Sequence, residues 1–253
     1  MRKKTDHVTR RELLKGAAQM GLLGAVPSSL DRLKDIGVPK KGLISEENKK
    51  EGTTDWQLTY VRSDNYRSKL IEGYCSKVSL RTGESLDIFL SAAGLSKEKE
   101  FTTEVAIDIY RMGYYGGKGG RFMQRLGPFQ VRTQSTPPVA ENRLRSCNWE
   151  RSASFTIPQN WVSGVYVGKL SCTAHRFQSY IIFIVRDDRK ADLLFQASDT
   201  TWQAYNKWPD TYSLYDSDPP QRSWSATTWI SCDRPYPWYH QVVDHPLSQG
   251  SGE

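Results

Sequence analysis

Residues 104–112 read EVAIDIYRM. Val105, Ile107 and Ile109 fall on one side of this stretch, with Glu104 before them and Ala106 and Asp108 between them. A period of two is the mark of a half-buried strand, whereas a helix needs apolar residues every third or fourth position. The pattern recurs on both sides. ESLDIFLSA at 84–92 puts Leu86, Ile88 and Leu90 on one face. SASFTIP at 152–158 and SGVYVGKLS at 163–171 continue it, and QSYIIFIVRD at 178–187 has a fully apolar centre. Short strands broken by Gly, Pro and Ser predict a mainly β chain, with an antiparallel immunoglobulin-like β-sandwich over residues 68–188.

The charged stretch RDDRK at 186–190 then ends the alternation. ADLLFQAS at 191–198 is continuously apolar at its centre, as in a parallel strand covered on both faces. Residues 189–253 are therefore expected to begin an α/β domain, with a functional loop at the strand's carboxyl end. That loop is SDTTWQAYNKWPDTYSLYD at 198–216, with two Trp and three Tyr in 19 residues. The chain as given is expected to be the first part of a longer protein, its α/β domain incomplete.

Upstream, residues 28–67 are rich in Lys, Glu and other polar types and read as a linker with one short helix. Residues 1–27 hold six Lys and Arg against two acidic residues, so they carry +4 of the net +7. The folded remainder shows no basic cluster, which argues against nucleic acid as a partner. TRRELLK at 9–15, followed by GAAQMGLLGAV, has the paired Arg10 and Arg11 and the short apolar stretch of a twin-arginine export signal. Export to the periplasm or outside the cell follows. No apolar run reaches the roughly 18–20 residues of a membrane-spanning helix.

Other motifs favour structural readings. YRMGYYGGKGGR at 110–121 has five Gly between Gly113 and Gly120, yet Lys118 precedes Gly119 rather than Ser or Thr. A tight turn leaving a strand, with Tyr114 and Tyr115 on the sheet, is preferred to a phosphate loop. Cys75, Cys147, Cys172 and Cys232 form no CxxC. An oxidising compartment would allow a Cys147–Cys172 bridge, and four free thiols fit as well. His240 and His245 stand five apart beside prolines, a poor spacing for zinc. No serine-hydrolase elbow is present. The Tyr-rich loop is read first as packing, with one hydrogen bond per polar tip. Ligation by a phenolate would need a hard trivalent ion such as Fe³⁺.

The order of several motifs carries more than any one of them. IEGY at 71–74, YRMGYYGG at 110–117, CNW at 147–149, SGVYVGKL at 163–170, SYIIFIVRDD at 179–188, ADLLFQASDTTWQAYNKW at 191–208, SLYD at 213–216 and RPY at 234–236 follow in turn. Over residues 68–253 the chain resembles the N,N-dimethylformamidase large (beta) subunit family. That resemblance implies a sandwich leading into a glutamine-amidotransferase-like α/β domain that carries a mononuclear iron held by two Tyr and one Glu. By motif position Tyr205 would be the first ligand and Tyr236 the second, with Tyr239 and Tyr215 as rivals. Trp202, Asn206 and Trp208 would line the pocket. The implied function is an exported amidohydrolase, with iron assisting hydrolysis of a small amide in the full-length form. The carboxylate ligand and the catalytic His belong further along, so the chain as given is expected to be inactive. The partners implied are a small amide substrate and the twin-arginine translocase, with room for oligomerisation. The competing expectations are a non-catalytic exported β-sandwich that binds carbohydrate or peptide, and a scaffold that has lost its site.

Overall fold

A computed structural model of the protein describes residues 42–94, 101–215 and 228–238. The strands that follow are β1 (Ile71–Cys75), β2 (Ser79–Arg81), β3 (Ser85–Ala92), β4 (Thr102–Met112), β5 (Gly120–Arg132), β6 (Ala153–Thr156), β7 (Gly164–Cys172) and β8 (Phe177–Arg186). Two short helices flank them, α1 (Leu43–Glu47) and α2 (Asp199–Tyr205). One sheet has the order β1-β3-β6 and the other β2-β8-β7-β4-β5. Neighbouring strands are antiparallel except β2, which runs parallel to β8 over three residues. The mainly β fold is that of a two-sheet sandwich.

The alternation read in β3 and β4 sets the core. Leu86, Ile88 and Leu90 of one sheet, with Val105, Ile107 and Ile109 of the other, are all fully buried in one apolar cluster. Trp161, Tyr166 and Phe183 stack through it, with ring centroids 4.9 and 5.5 Å apart. Gly73 and Gly168 keep the packing close. A Cβ on Gly73 would stand 2.6 Å from Leu90 Cδ2, and one on Gly168 would stand 2.7 Å from Ile181 Cγ1.

β5 carries Pro128, which cannot donate to a ladder. It is tolerated because β5 is the edge of its sheet, and the β4–β5 register shifts twice along their length. The glycine-rich stretch makes the β4–β5 connection, a tight turn at Tyr115–Gly117. Gly116, Gly117 and Gly119 there adopt positive φ, which glycine tolerates without steric cost. Of the two tyrosines expected on the sheet, Tyr115 is buried and Tyr114 is exposed.

Residues 43–67, expected as part of a polar linker, are instead packed. Trp56 and Leu58 cluster with Tyr110, Val167 and Tyr180 on the five-stranded sheet. Polar side chains hold the strap down. Lys169 Nζ donates to the carbonyls of Asp55 and Gln57 at 2.8 and 2.6 Å, and Gln178 Oε1 accepts from the amides of Thr59 and Tyr60. Burial lowers the Lys169 pKa, with Asp108 and Asp55 opposing. Composition concealed the strap because two apolar anchors suffice when backbone groups find side-chain partners.

Glu47 closes α1 onto the β4–β5 turn. Its carboxylate accepts from Tyr115 Oη at 3.0 Å, Arg121 Nη1 at 2.7 Å and Lys50 Nζ at 2.7 Å. Burial pushes the Glu47 pKa up, but the bonds from Lys50, Arg121 and Tyr115 outweigh it and leave the carboxyl below its ordinary value. An open cleft of about 760 Å³ lies beside this contact, lined by Ser45, Asn48, Lys50, Tyr114, Gly116 and Lys118.

The stretch ADLLFQA is not paired as a strand. Leu193, Leu194 and Phe195 are 89%, 92% and 81% exposed. Its apolar run matches a buried strand, but among the described residues nothing pairs with it. No disulfide forms. Cys75, Cys147 and Cys172 are buried free thiols and Cys232 is exposed. No helix among the described residues is long and apolar enough to cross a membrane. Arg10, Arg11, Tyr239, His240 and His245 lie outside the described residues.

Candidate functional site

The aromatic loop begins with α2, seven residues long. Its chain is gathered against residues 233–236 by polar contacts rather than apolar packing. Arg234, buried, donates through Nη2 to the carbonyls of Gln203 and Asn206 at 3.2 and 3.0 Å. Asn206, fully buried, donates through Nδ2 to Gln203 Oε1 at 3.0 Å and to the Pro235 carbonyl at 2.9 Å. Its Oδ1 accepts the Trp208 amide at 2.8 Å. The Leu214 amide returns to the Ala204 carbonyl at 2.9 Å. The segments carrying Tyr205, Tyr215 and Tyr236 are therefore tied to one another.

The side chains themselves separate into two groups. Gln203 is buried and hydrogen-bonded to the Tyr236 side chain. Burial pushes the Tyr236 phenol well above its usual range, with Cys232 and Asp199 adding to the rise and Gln203 opposing it. Tyr205 is 40% exposed and its ring lies 4.9 Å from that of Tyr215, itself 48% exposed. Residues two apart on a helix project about 200° from each other. Tyr236 thus meets the buried side of α2, while Tyr205 and Tyr215 stand on its exposed side. The backbones converge; in this arrangement the Tyr205 and Tyr236 hydroxyls do not share a face.

Two expected pocket residues are occupied with the chain itself. Trp208 is buried in a cluster with Tyr74, Cys147 and Trp149, its ring 6.0 Å from Trp149 in an edge-to-face contact. Its indole Nε1 donates to Glu72 Oε2 on β1 at 3.1 Å. Asn206 spends both its amide oxygen and its amide nitrogen on the chain, as above. Trp202 remains half-buried on α2.

The pieces that sequence reasoning passed over are Arg67, Glu72, Gln203 and Arg234. Arg67 lies in the tract read as linker, and its side chain is completely buried. No local motif announces it, because one of its partners, the Tyr236 carbonyl, lies 169 residues further along the chain. Glu72 does stand out in hindsight, as the acidic residue within IEGYC.

A phenol donor set suits a hard trivalent ion in its chemistry. Tyr205 and Tyr236 bring two such oxygens to segments that are clamped together, but on opposite sides of α2, so as placed the pair does not converge on one ion. No group of three or more His, Cys, Asp or Glu side chains able to hold a metal occurs among the described residues.

Residues 106–251 match the family described as N,N-dimethylformamidase beta subunit-like, C-terminal. The match spans more than half of the 253-residue chain, and the chain belongs to that family. It reaches from the middle of β4 through the whole aromatic loop. No curated protein matches the chain.

Proposed function

We propose that the chain is part of an amide hydrolase acting on small N-alkylated amides of the dimethylformamide type. Family membership supports this reading, and the observation that carries it is the polar clamp joining the Tyr205 and Tyr236 segments. Holding a mononuclear ferric ion between Tyr205 and Tyr236 would require the Tyr205 ring to leave Tyr215 and turn to the Tyr236 side of α2; bound there, the ion would supply Lewis-acid polarisation of the amide carbonyl. The chain's own groups hold that site in place. Arg234 and Asn206 fix the two backbones, Gln203 orients the Tyr236 phenol, and Trp202 would wall the substrate side against water. Asn206 acts on the scaffold rather than on substrate, because its amide atoms are already engaged. TRRELLK would direct export through the twin-arginine translocase, so Arg10→Lys with Arg11→Lys should abolish transport of a folded reporter.

The test is metal loading and turnover of the full-length protein. Ferric iron should bind with a phenolate-to-metal charge-transfer band, and dimethylformamide should be hydrolysed to formate and dimethylamine. Tyr205→Phe and Tyr236→Phe should each bleach or shift the band. A band lost in Tyr215→Phe but intact in Tyr236→Phe would move the second ligand to Tyr215. A metal-free protein with no amidase activity would overturn the proposal.

A further inference from the structure

Arg67 is a buried arginine in the tract expected to be linker. Its guanidinium is fully excluded from water, and burial lowers its pKa against the pull of Glu72. Nη1 donates to the carbonyls of Ser68 and Ile71 at 2.6 and 2.9 Å. Nη2 donates to Glu72 Oε1 at 3.1 Å and to the Tyr236 carbonyl at 2.9 Å. Among the described residues its Nε has no hydrogen-bond partner. Desolvating a charge is costly, and buried ion pairs are often replaceable by apolar side chains without loss of stability. Stability alone is therefore a weak reason to keep an arginine here. What an apolar side chain could not do is aim two forks at two different segments.

The two segments are those that bear the candidate site. Glu72 is shared, accepting from Arg67 on Oε1 and from Trp208 on Oε2. The Tyr236 carbonyl is the other target. Just beyond it, Trp238 has two cations over its ring, Arg62 at 4.4 Å and Lys69 at 4.1 Å, with Tyr66 edge-on at 5.3 Å. Residues 62–72 thus grip the chain at Trp208, Tyr236 and Trp238. All of them precede residue 106, where the family match begins.

We propose that Arg67 is a positioning residue: through Glu72 and the Tyr236 carbonyl it sets where the Tyr236 phenol and the Trp208 indole stand. The proposal rests on the reading that Tyr236 serves the site. Arg67 touches no substrate and takes no part in bond making.

The experiment compares full-length wild type, Arg67→Lys, Tyr236→Phe and the double variant. Each is titrated with ferric chloride while the charge-transfer band is followed. Arg67→Lys keeps the charge but loses the fork, and should weaken iron binding about tenfold and shift the band, as loss of an orienting group does. The double variant should bind no more weakly than Tyr236→Phe alone, since Arg67 acts through Tyr236. Additive losses, or an unmoved band, overturn the proposal. Should wild type show no band, the iron reading fails, and the positioning role is decided on the metal-free protein by tetranitromethane nitration mapped by peptide mass. Arg67→Lys should then speed nitration of Tyr236 about tenfold, in line with loss of local protection, and leave Tyr166 and Tyr180 of the sheets unchanged. Equal Tyr236 rates, or acceleration of all tyrosines together, count against it. Glu72→Gln, read the same ways, replaces Arg67→Lys if the latter does not fold.

Discussion

Glu72 and Trp208 are 136 residues apart in the chain, and the carboxylate of one accepts the indole N–H of the other at 3.1 Å. The contact joins β1 to the aromatic loop and gives the buried indole the polar partner it needs. Trp208→Ala should cost about 3–5 kcal/mol through the cavity it leaves. Trp208→Phe, which keeps a ring but loses the donor, should cost less. Urea unfolding of the three proteins measures both, and equal midpoints for wild type and Trp208→Ala would show the loop to be undocked.

The Glu47 carboxyl lies below its ordinary value when folded because Lys50, Arg121 and Tyr115 together outweigh its burial. Its contribution is therefore full above the ordinary carboxylate range and is lost as pH falls through the depressed value. Acid should release α1 from the β4–β5 turn. Glu47→Gln should flatten that part of the acid limb and cost about 3 kcal/mol at neutral pH, because the surrounding cations lose their counter-charge. Thermal unfolding against pH for the two proteins is the check, and parallel acid limbs would rule the idea out.

Thiol reactivity should be sharply uneven. Burial pushes the Cys75 thiol up to about 12, and burial with the nearby Glu72 does the same for Cys147. Cys172 is buried and within hydrogen-bond distance of Thr103 Oγ1, at 3.1 Å. Cys232 is exposed, although burial of its sulfur and the nearby Asp233 raise its pKa as well. Iodoacetamide at neutral pH should modify Cys232 first in the native protein and all four after denaturation. Early labelling of Cys75 by mass spectrometry would mean that β1 opens readily.

Gly73→Ala should destabilise the sandwich by about 1–3 kcal/mol, as overpacking does. The added Cβ would meet Leu90 Cδ2 at 2.6 Å, and Ile181 Cγ2 and the Phe89 carbonyl at 3.0 Å. Two of these atoms sit on β3 and the third on β8, so relief in one sheet presses on the other. An unchanged denaturation midpoint would place β1 further from the second sheet than the structure has it.

The sandwich was legible because β3 and β4 alternate strictly, and period two has one simple structural meaning. β5 was not, since its residues are half-exposed on an edge and Pro128 interrupts the pattern. The strap at 53–60 escaped for another reason. Its attachment is made by Lys169 and Gln178 reaching back to backbone groups, which leaves no apolar periodicity to read. At the candidate site the order of TWQAYN and RPY singled out two segments that the fold ties together. The direction of each side chain was not legible, because it follows from Gln203 and Tyr205 standing on opposite sides of a short helix. Asn206 was expected to line the pocket; its amide oxygen and nitrogen are engaged by Trp208, Gln203 and Pro235.

Leu193, Leu194 and Phe195, exposed among the described residues, bear on how the molecule behaves in the tube. Three large side chains left wet forgo roughly 5 kcal/mol or more of transfer free energy. Any neighbour able to shade that ribbon gains by doing so, a detergent micelle and a holdase chaperone among them. Light scattering should therefore climb with protein concentration and subside when Leu194 is exchanged for a lysine.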